Sequence, residues 1–215
     1  IGVGTPGAKL WLDGKLIVDN TIDLEHQRGP KTTQMALQQG HAYALRVEQT
    51  PSRGTPVRRV WRHIVADPQG AVAIAARNAD VVIAVVVITS QLEGEEMNVN
   101  LPGFKGGDRT NLDMPKEEAD LLKAVKTTGK PMAVVLMNGS ALAVNWAAAN
   151  ADAILDAWYP GEEGGTAIGQ TLSGDNNPAG RLPVTFYKSV NDLPPFEDYN
   201  MANRTYRYFK GKPLY

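Results

Sequence analysis

The chain has 215 residues, 43% hydrophobic and 21% charged, which is enough to bury a core of about one to one and a half domains and excludes a disordered polypeptide. Its 22 Lys and Arg against 23 Asp and Glu leave a net charge of -1, so no basic surface is expected to neutralise phosphates or grip anionic lipid, and neither nucleic acid nor a membrane is an expected partner. There is no cysteine, hence no disulfide framework and no Cys-based zinc site, and His26, His41 and His63 stand too far apart in sequence for a local metal motif.

In the N-terminal part, Leu10-Trp11-Leu12, the two-residue turn Asp13-Gly14, and Lys15-Leu16-Ile17-Val18 predict a β-hairpin. His41 to Glu48 alternates polar and apolar residues, and Val57 to Ile64 does so less regularly, with the loop Thr50 to Pro56 between them. These strands amount to half a β-sandwich, whose open edges call for partners outside the segment. Ile1 is not an initiator methionine and the chain stops at Tyr215 without a polar tail, which reads as a piece of a longer polypeptide.

After Asp67-Pro68 the pattern changes to helices alternating with strands. Gln69 to Asn78 predicts a short helix, and Ala79 to Ile88 a fully buried strand that is about half of what a bilayer span requires. Pro115 opens a helix to about Thr128, with Glu117 and Glu118 beside the positive end of its dipole and Gly129 closing it. Pro131 to Met137 predicts a strand, Ala141 to Ala149 a helix, Ala151 to Trp158 a strand, and Glu162 to Leu172 a helix ended by Ser173-Gly174. The expected fold class is α/β, a partial α/β sandwich with a mostly parallel sheet, preceded by a partial antiparallel β-sandwich. From Asn177 onward Pro, Gly and aromatic residues predict a long segment packed over a neighbouring surface.

In an open parallel sheet, ligands meet the loops at the carboxyl ends of the strands. Those loops are Thr89 to Met97, Asn138-Gly139-Ser140, and Tyr159 to Gly165. Glu93, Glu95 and Glu96 directly follow a strand, where mutual repulsion can keep a carboxylic acid protonated near neutral pH. In an extended segment Glu93 and Glu95 would face one way and Glu96 the other. The plainer alternative is a set of solvated loop charges around an adaptable Gly94. The acidic pair Glu162-Glu163 begins a helix, which the dipole explains. No phosphate-binding glycine motif and no G-x-S-x-G elbow follows any strand. Asn138-Gly-Ser and Asn203-Arg-Thr match the glycosylation acceptor pattern, the first at a strand end expected to be buried, and Trp146 and Trp158 read as core.

Taken together, Thr89-Ser-Gln-Leu-Glu-Gly-Glu-Glu-Met97, Gly106 to Pro115, Val135 to Ala141, Ala157 to Ala167 and Asn177 to Phe186 resemble, in this order, the C-terminal α/β-sandwich domain of glycoside hydrolase family 3. The resemblance implies an enzyme in which a TIM-barrel domain supplies an aspartate nucleophile and the α/β sandwich supplies the acid/base carboxylate on a loop after a strand. It places the acid/base at Glu95. Glu96 stands where the family often has Gly, so Glu96 is an alternative, and Glu93 is a neighbour that would help hold the proton on Glu95, or itself a further alternative. Asp108 and Arg109 are candidates to line the sugar cleft, with an internal salt bridge as the competing explanation.

Residues 1–66 look like the second half of a protective-antigen-type β-sandwich module, and residues 67–215 like the second half of the family's α/β sandwich. The implied function is that of a retaining, exo-acting β-glycosidase with no cofactor and no metal, β-glucosidase first and β-xylosidase as the alternative. Its substrate is a β-linked oligosaccharide or aryl glycoside, its intramolecular partner the TIM barrel, and its expected location periplasmic or secreted. No residue here matches the family's nucleophile motif, so the chain alone is expected to be inactive. A carbohydrate-binding module without catalysis and a nucleotide-binding α/β domain are the competing classes.

Overall fold

The computed structural model describes residues 1–5, 7–21, 31–50, 57–97 and 99–215; His26 and the loop residues 51–56 lie outside them. The described residues fall into two units, Ile1–Ala66 and Asp67–Tyr215.

In the first unit, β1 (Gly2–Val3), β2 (Ala8–Leu12), β3 (Lys15–Asn20), β4 (Lys31–Thr32), β5 (Leu45–Gln49) and β6 (Arg59–Val60) form two three-stranded antiparallel sheets, ordered β3-β2-β5 and β4-β1-β6. Ala8, Leu10 and Leu12 are buried while Lys9 and Trp11 between them are half-buried, and Val3, Ala8, Leu10 and Val18 share one core. Asp13 (φ 49) and Gly14 (φ 78) are both left-handed, the geometry of a two-residue hairpin turn whose twist matches that of its strands. The strand expected over 41–48 starts only at Leu45. The Asp13 carboxylate accepts from Ala44 N–H (2.7 Å) and Asp13 N–H donates to the Ala44 carbonyl (2.9 Å), so residues 41–44 wrap the turn. Of Val57 to Ile64, only Arg59–Val60 pairs.

The second unit opens with α1 (Pro68–Arg77). Pro68 takes the first turn, where its missing N–H costs nothing, and Asp67 caps the helix by accepting from Gly70 N–H at 2.9 Å. The strand β7 (Val82–Val87) follows, then three short antiparallel strands β8 (Asn100–Leu101), β9 (Phe104–Lys105) and β10 (Asp108–Arg109). Next come α2 (Lys116–Lys126), β11 (Met132–Met137), α3 (Asn145–Asn150), β12 (Ala153–Asp156), α4 (Gly164–Ser173) and α5 (Thr205–Tyr208). The main sheet is parallel throughout, in the order β12-β11-β7. Ala76 of α1, Leu122 and Val125 of α2, and Ala147 of α3 pack with Val86, Val134 and Leu136 into one core.

Three expectations are corrected. The strand after α1 is not fully buried: among the described residues β7 pairs with β11 alone, and Ile83 and Val85 are 50% and 52% exposed. The helix expected from Ala141 begins only at Asn145, because Ala143 N–H donates to the Leu112 carbonyl (2.7 Å) and Ala143 bridges Asp113, which ties the chain at Ala143 to residues 112–113 instead of to a helical turn. The segment 89–97 is a chain of turns, since Leu92 and Glu93 N–H both donate to the Thr89 carbonyl at 2.9 and 3.1 Å, so the alternating geometry expected for Glu93, Glu95 and Glu96 does not hold.

Past α4, which ends at left-handed Gly174 (φ 85), the chain is mostly irregular. Phe186 is fully buried, and Tyr187 meets the Phe209 ring edge-on at 5.2 Å. Phe196 and Tyr199 are 86% and 85% exposed. Among the described residues no helix is long and apolar enough to cross a membrane.

Candidate active site

The carboxyl ends of β7, β11 and β12 converge on one side chain. Glu93, in the loop after β7, accepts from the Ser140 hydroxyl, from Gly139 N–H (3.2 Å) and from the Tyr159 hydroxyl (2.9 Å). Ser140 and Gly139 follow β11, and Tyr159 follows β12. Arg109, the last residue of β10, brings its Nη1 to 3.8 Å from the same carboxylate, and the two side chains are only 11% and 14% exposed. All of these partners are donors, the complement of an ionised carboxylate.

Arg109 also donates from Nη1 to the Ser140 hydroxyl oxygen and from Nη2 to the Asp113 carbonyl, both at 3.0 Å. Its face stacks toward Phe104, 5.8 Å from the ring centre. Burial draws the guanidinium below its ordinary value, and the Glu93 charge opposes that shift. The ion pair of Arg109 is therefore with Glu93. Asp108 is exposed.

The Tyr159 hydroxyl also donates to the Ile88 carbonyl at 2.6 Å. Burial, and then the neighbouring Glu93, push this phenol up to about 12. Asn138, the residue after β11, is 0% exposed and donates through Nδ2 to the Ser140 carbonyl at 2.6 Å. Its Asn-Gly-Ser match therefore presents no accessible amide.

Glycines let the loops approach. A Cβ on Gly139 would stand 2.6 Å from Tyr159 Cε2 and 3.2 Å from Glu93 Oε2. Gly107 (φ 93) lies directly against the backbone of Gly94, so that a Cβ there would overlap the Gly94 carbonyl oxygen. Met97 N–H donates to the Gly106 carbonyl at 2.8 Å. Between these contacts Glu95 and Glu96 are exposed, and Glu96 is left-handed with φ 49. Trp158, two residues past β12, is left-handed too (φ 54), and its ring meets Phe186 edge-on at 6.1 Å.

The three loops found by the strand-end rule are thus the ones that meet, and Glu93 and Arg109 lie among them. Ser140 and Tyr159 were not singled out beforehand. Their only signal was position, immediately past β11 and β12. Among the described residues, no group of three or more His, Asp and Glu side chains is placed to hold a metal ion.

The carboxyl-end loops of the parallel sheet thus bring one carboxylate, that of Glu93, together with Arg109, Gly139, Ser140 and Tyr159. The chain belongs to glycoside hydrolase family 3: the model of the glycosyl hydrolase family 3 C-terminal domain matches residues 15–215. A xylan 1,4-beta-xylosidase of Xylanibacter ruminicola is 55% identical over 122 residues, 57% of this chain and 14% of that protein. A periplasmic beta-glucosidase of Salmonella typhimurium is 42% identical over 132 residues, 61% of this chain and 16% of that protein. The chain thus spans about one seventh of these relatives. Among solved structures, a β-glucosidase from Kluyveromyces marxianus superposes over 100% of this chain and 27% of its own, with TM-score 0.71 and 24% identity. One from Erythrobacter marinus covers 78% of this chain and 22% of its own, with TM-score 0.57 and 31% identity.

Proposed function

We propose that this chain supplies the general acid/base of a retaining, exo-acting β-glycosidase, and that the group is Glu95. The nucleophile is an aspartate on a TIM-barrel domain of the same enzyme. It attacks the anomeric carbon while the Glu95 carboxylic acid protonates the departing glycosidic oxygen. Glu95 as carboxylate then deprotonates the water that hydrolyses the glycosyl-enzyme, the two carboxyls lying roughly 5 to 5.5 Å apart.

The observation that carries this register is the backbone at position 96. Glu96 has φ 49, a conformation in which glycine is at home and other residues are strained, which suits a position where the family often has Gly. That alignment leaves Glu95, which is exposed, as the acid/base, whereas Glu93 is engaged by its four partners.

A β-glucoside is the first substrate proposed. A β-xyloside is the second, supported by the 55% identity to a xylosidase. The proposed location, periplasmic or secreted, is supported by the similarity to the periplasmic beta-glucosidase of Salmonella typhimurium. The test is hydrolysis of aryl β-glucosides and β-xylosides by the complete enzyme, wild type against Glu95→Gln, with azide as external nucleophile. Loss of turnover on poor leaving groups with azide rescue on activated ones is expected, and unchanged rates would remove Glu95 from the role.

A further inference from the structure

We infer that Glu93 is a positioning residue for the acid/base, an inference that rests on Glu95 holding that role. The loop is pinned on both sides of Glu95. On the first side, the Glu93 carboxylate is joined to the β11 end through Gly139 and Ser140, to the β12 end through Tyr159, and to β10 through Arg109. At the next residue, the Gly94 backbone rests on Gly107, and a side chain at Gly94 would run into Met97. On the far side, Met97 N–H is held by the Gly106 carbonyl at 2.8 Å. Only Glu95 and Glu96 stand exposed between these pins.

Rigidity here has a chemical purpose. A general acid works within a heavy-atom distance of about 2.6 to 3.2 Å from the oxygen it protonates, and a displacement of about 1 Å can cost on the order of a hundredfold in rate. Glu93 spends its acceptor capacity on the neighbouring strand ends, so the next carboxylate along the chain is presented from a fixed base. In this arrangement Arg109 is the counter-charge that keeps Glu93 in place, rather than a sugar contact. Gln at position 93 would keep the length of the side chain but aim an NH2 donor into a site made of donors.

The test compares Glu93→Gln with Glu95→Gln in the complete enzyme, on one aryl glycoside with a poor leaving group and one with an activated leaving group, across pH and with azide. Glu93→Gln is expected to lose about ten- to a hundredfold in kcat/KM on the poor leaving group and no more than about threefold on the activated one, which needs little protonation, with the alkaline limb of its pH profile displaced. Ser140→Ala and Tyr159→Phe, each removing one donor, are expected to move the same ratio in the same direction by smaller factors, and they decide the matter should Glu93→Gln not fold. An equal loss on both substrates, or an unchanged ratio, overturns the inference while a collapsed Glu95→Gln leaves the acid/base assignment standing. A normal Glu95→Gln together with azide rescue of Glu93→Gln makes Glu93 the acid/base itself and overturns both.

Discussion

The Tyr159 hydroxyl and the Glu93 carboxylate, separated by 66 positions in the chain, lie 2.9 Å apart, and the same hydroxyl donates to the Ile88 carbonyl at 2.6 Å. One phenolic hydrogen thus serves the strand end from which the loop departs and the carboxylate that anchors it. Ionising this phenol would place a phenolate beside Glu93, and burial with that charge lifts it from 10.0 to about 12.

A group whose folded value is raised contributes stability that is complete below its unfolded value and is lost as pH rises through the folded one. The window for Tyr159 is therefore about pH 10 to 12. Ultraviolet titration of phenolate absorbance is expected to show one tyrosine ionising near the top of that window, absent from Tyr159→Phe and displaced downward in Glu93→Gln. Identical curves for wild type and Glu93→Gln would mean that burial alone sets the shift.

The fold was legible where local rules act without competition. Asp13-Gly14 and the Gly174 stop predict the observed elements, because each is decided by the φ its residues allow. The failures come from tertiary hydrogen bonds. Nothing in residues 141–144 announces that Ala143 will pair with Leu112, and nothing in His41 to Ala44 that Asp13 will claim Ala44 N–H. At the site, the loop and its acidic residues were readable from position after a strand. That Glu93 would turn toward the strand ends was not, since the three groups that donate hydrogen bonds to it from those ends are 46, 47 and 66 residues away.

Gly107 tests whether the loop needs its close backbone support. Gly107→Ala combines a left-handed φ of 93 with a Cβ that overlaps the Gly94 carbonyl, so a loss of about 2 to 4 kcal/mol is expected from strain and overpacking together. Gly129→Ala is the control, since its φ of 72 is also left-handed while nothing stands within 4 Å of the new Cβ, and about 1 kcal/mol is expected there. Denaturant unfolding measures both. Equal losses would show that the Gly94 contact adds nothing.

Glu118 predicts a pH dependence of the same sign as that of Tyr159, in a more acidic range. Its carboxylate accepts from Val87 N–H at 2.8 Å, one residue short of Ile88, yet burial outweighs that bond and raises it above its ordinary 4.5. Stability tied to Glu118 is complete below the unfolded value and falls as pH rises through the folded one. Glu118→Gln keeps an acceptor for Val87 and carries no charge, so its Tm relative to wild type is expected to improve as pH rises from about 4 to about 7. A difference that narrows over this interval would show that the hydrogen bond dominates.

Glu96 separates the two possible registers of the acid/base loop. Its φ of 49 holds a non-glycine residue in the left-handed region, at a cost of roughly 1 kcal/mol that glycine escapes, partly offset by the greater freedom glycine has in the unfolded chain. If Glu95 carries the proton, Glu96→Gly in the complete enzyme keeps its stability within about 1 kcal/mol and its kcat/KM on a poor leaving group within a few fold, and azide changes nothing. If Glu96 carries it, the same variant loses about a hundredfold or more on that substrate, as the removal of a general acid does, and azide restores turnover of an activated glycoside. Because the substitution suits the backbone in both cases, a fall in rate cannot be charged to a disrupted loop, and thermal unfolding of the same sample verifies that the fold is intact.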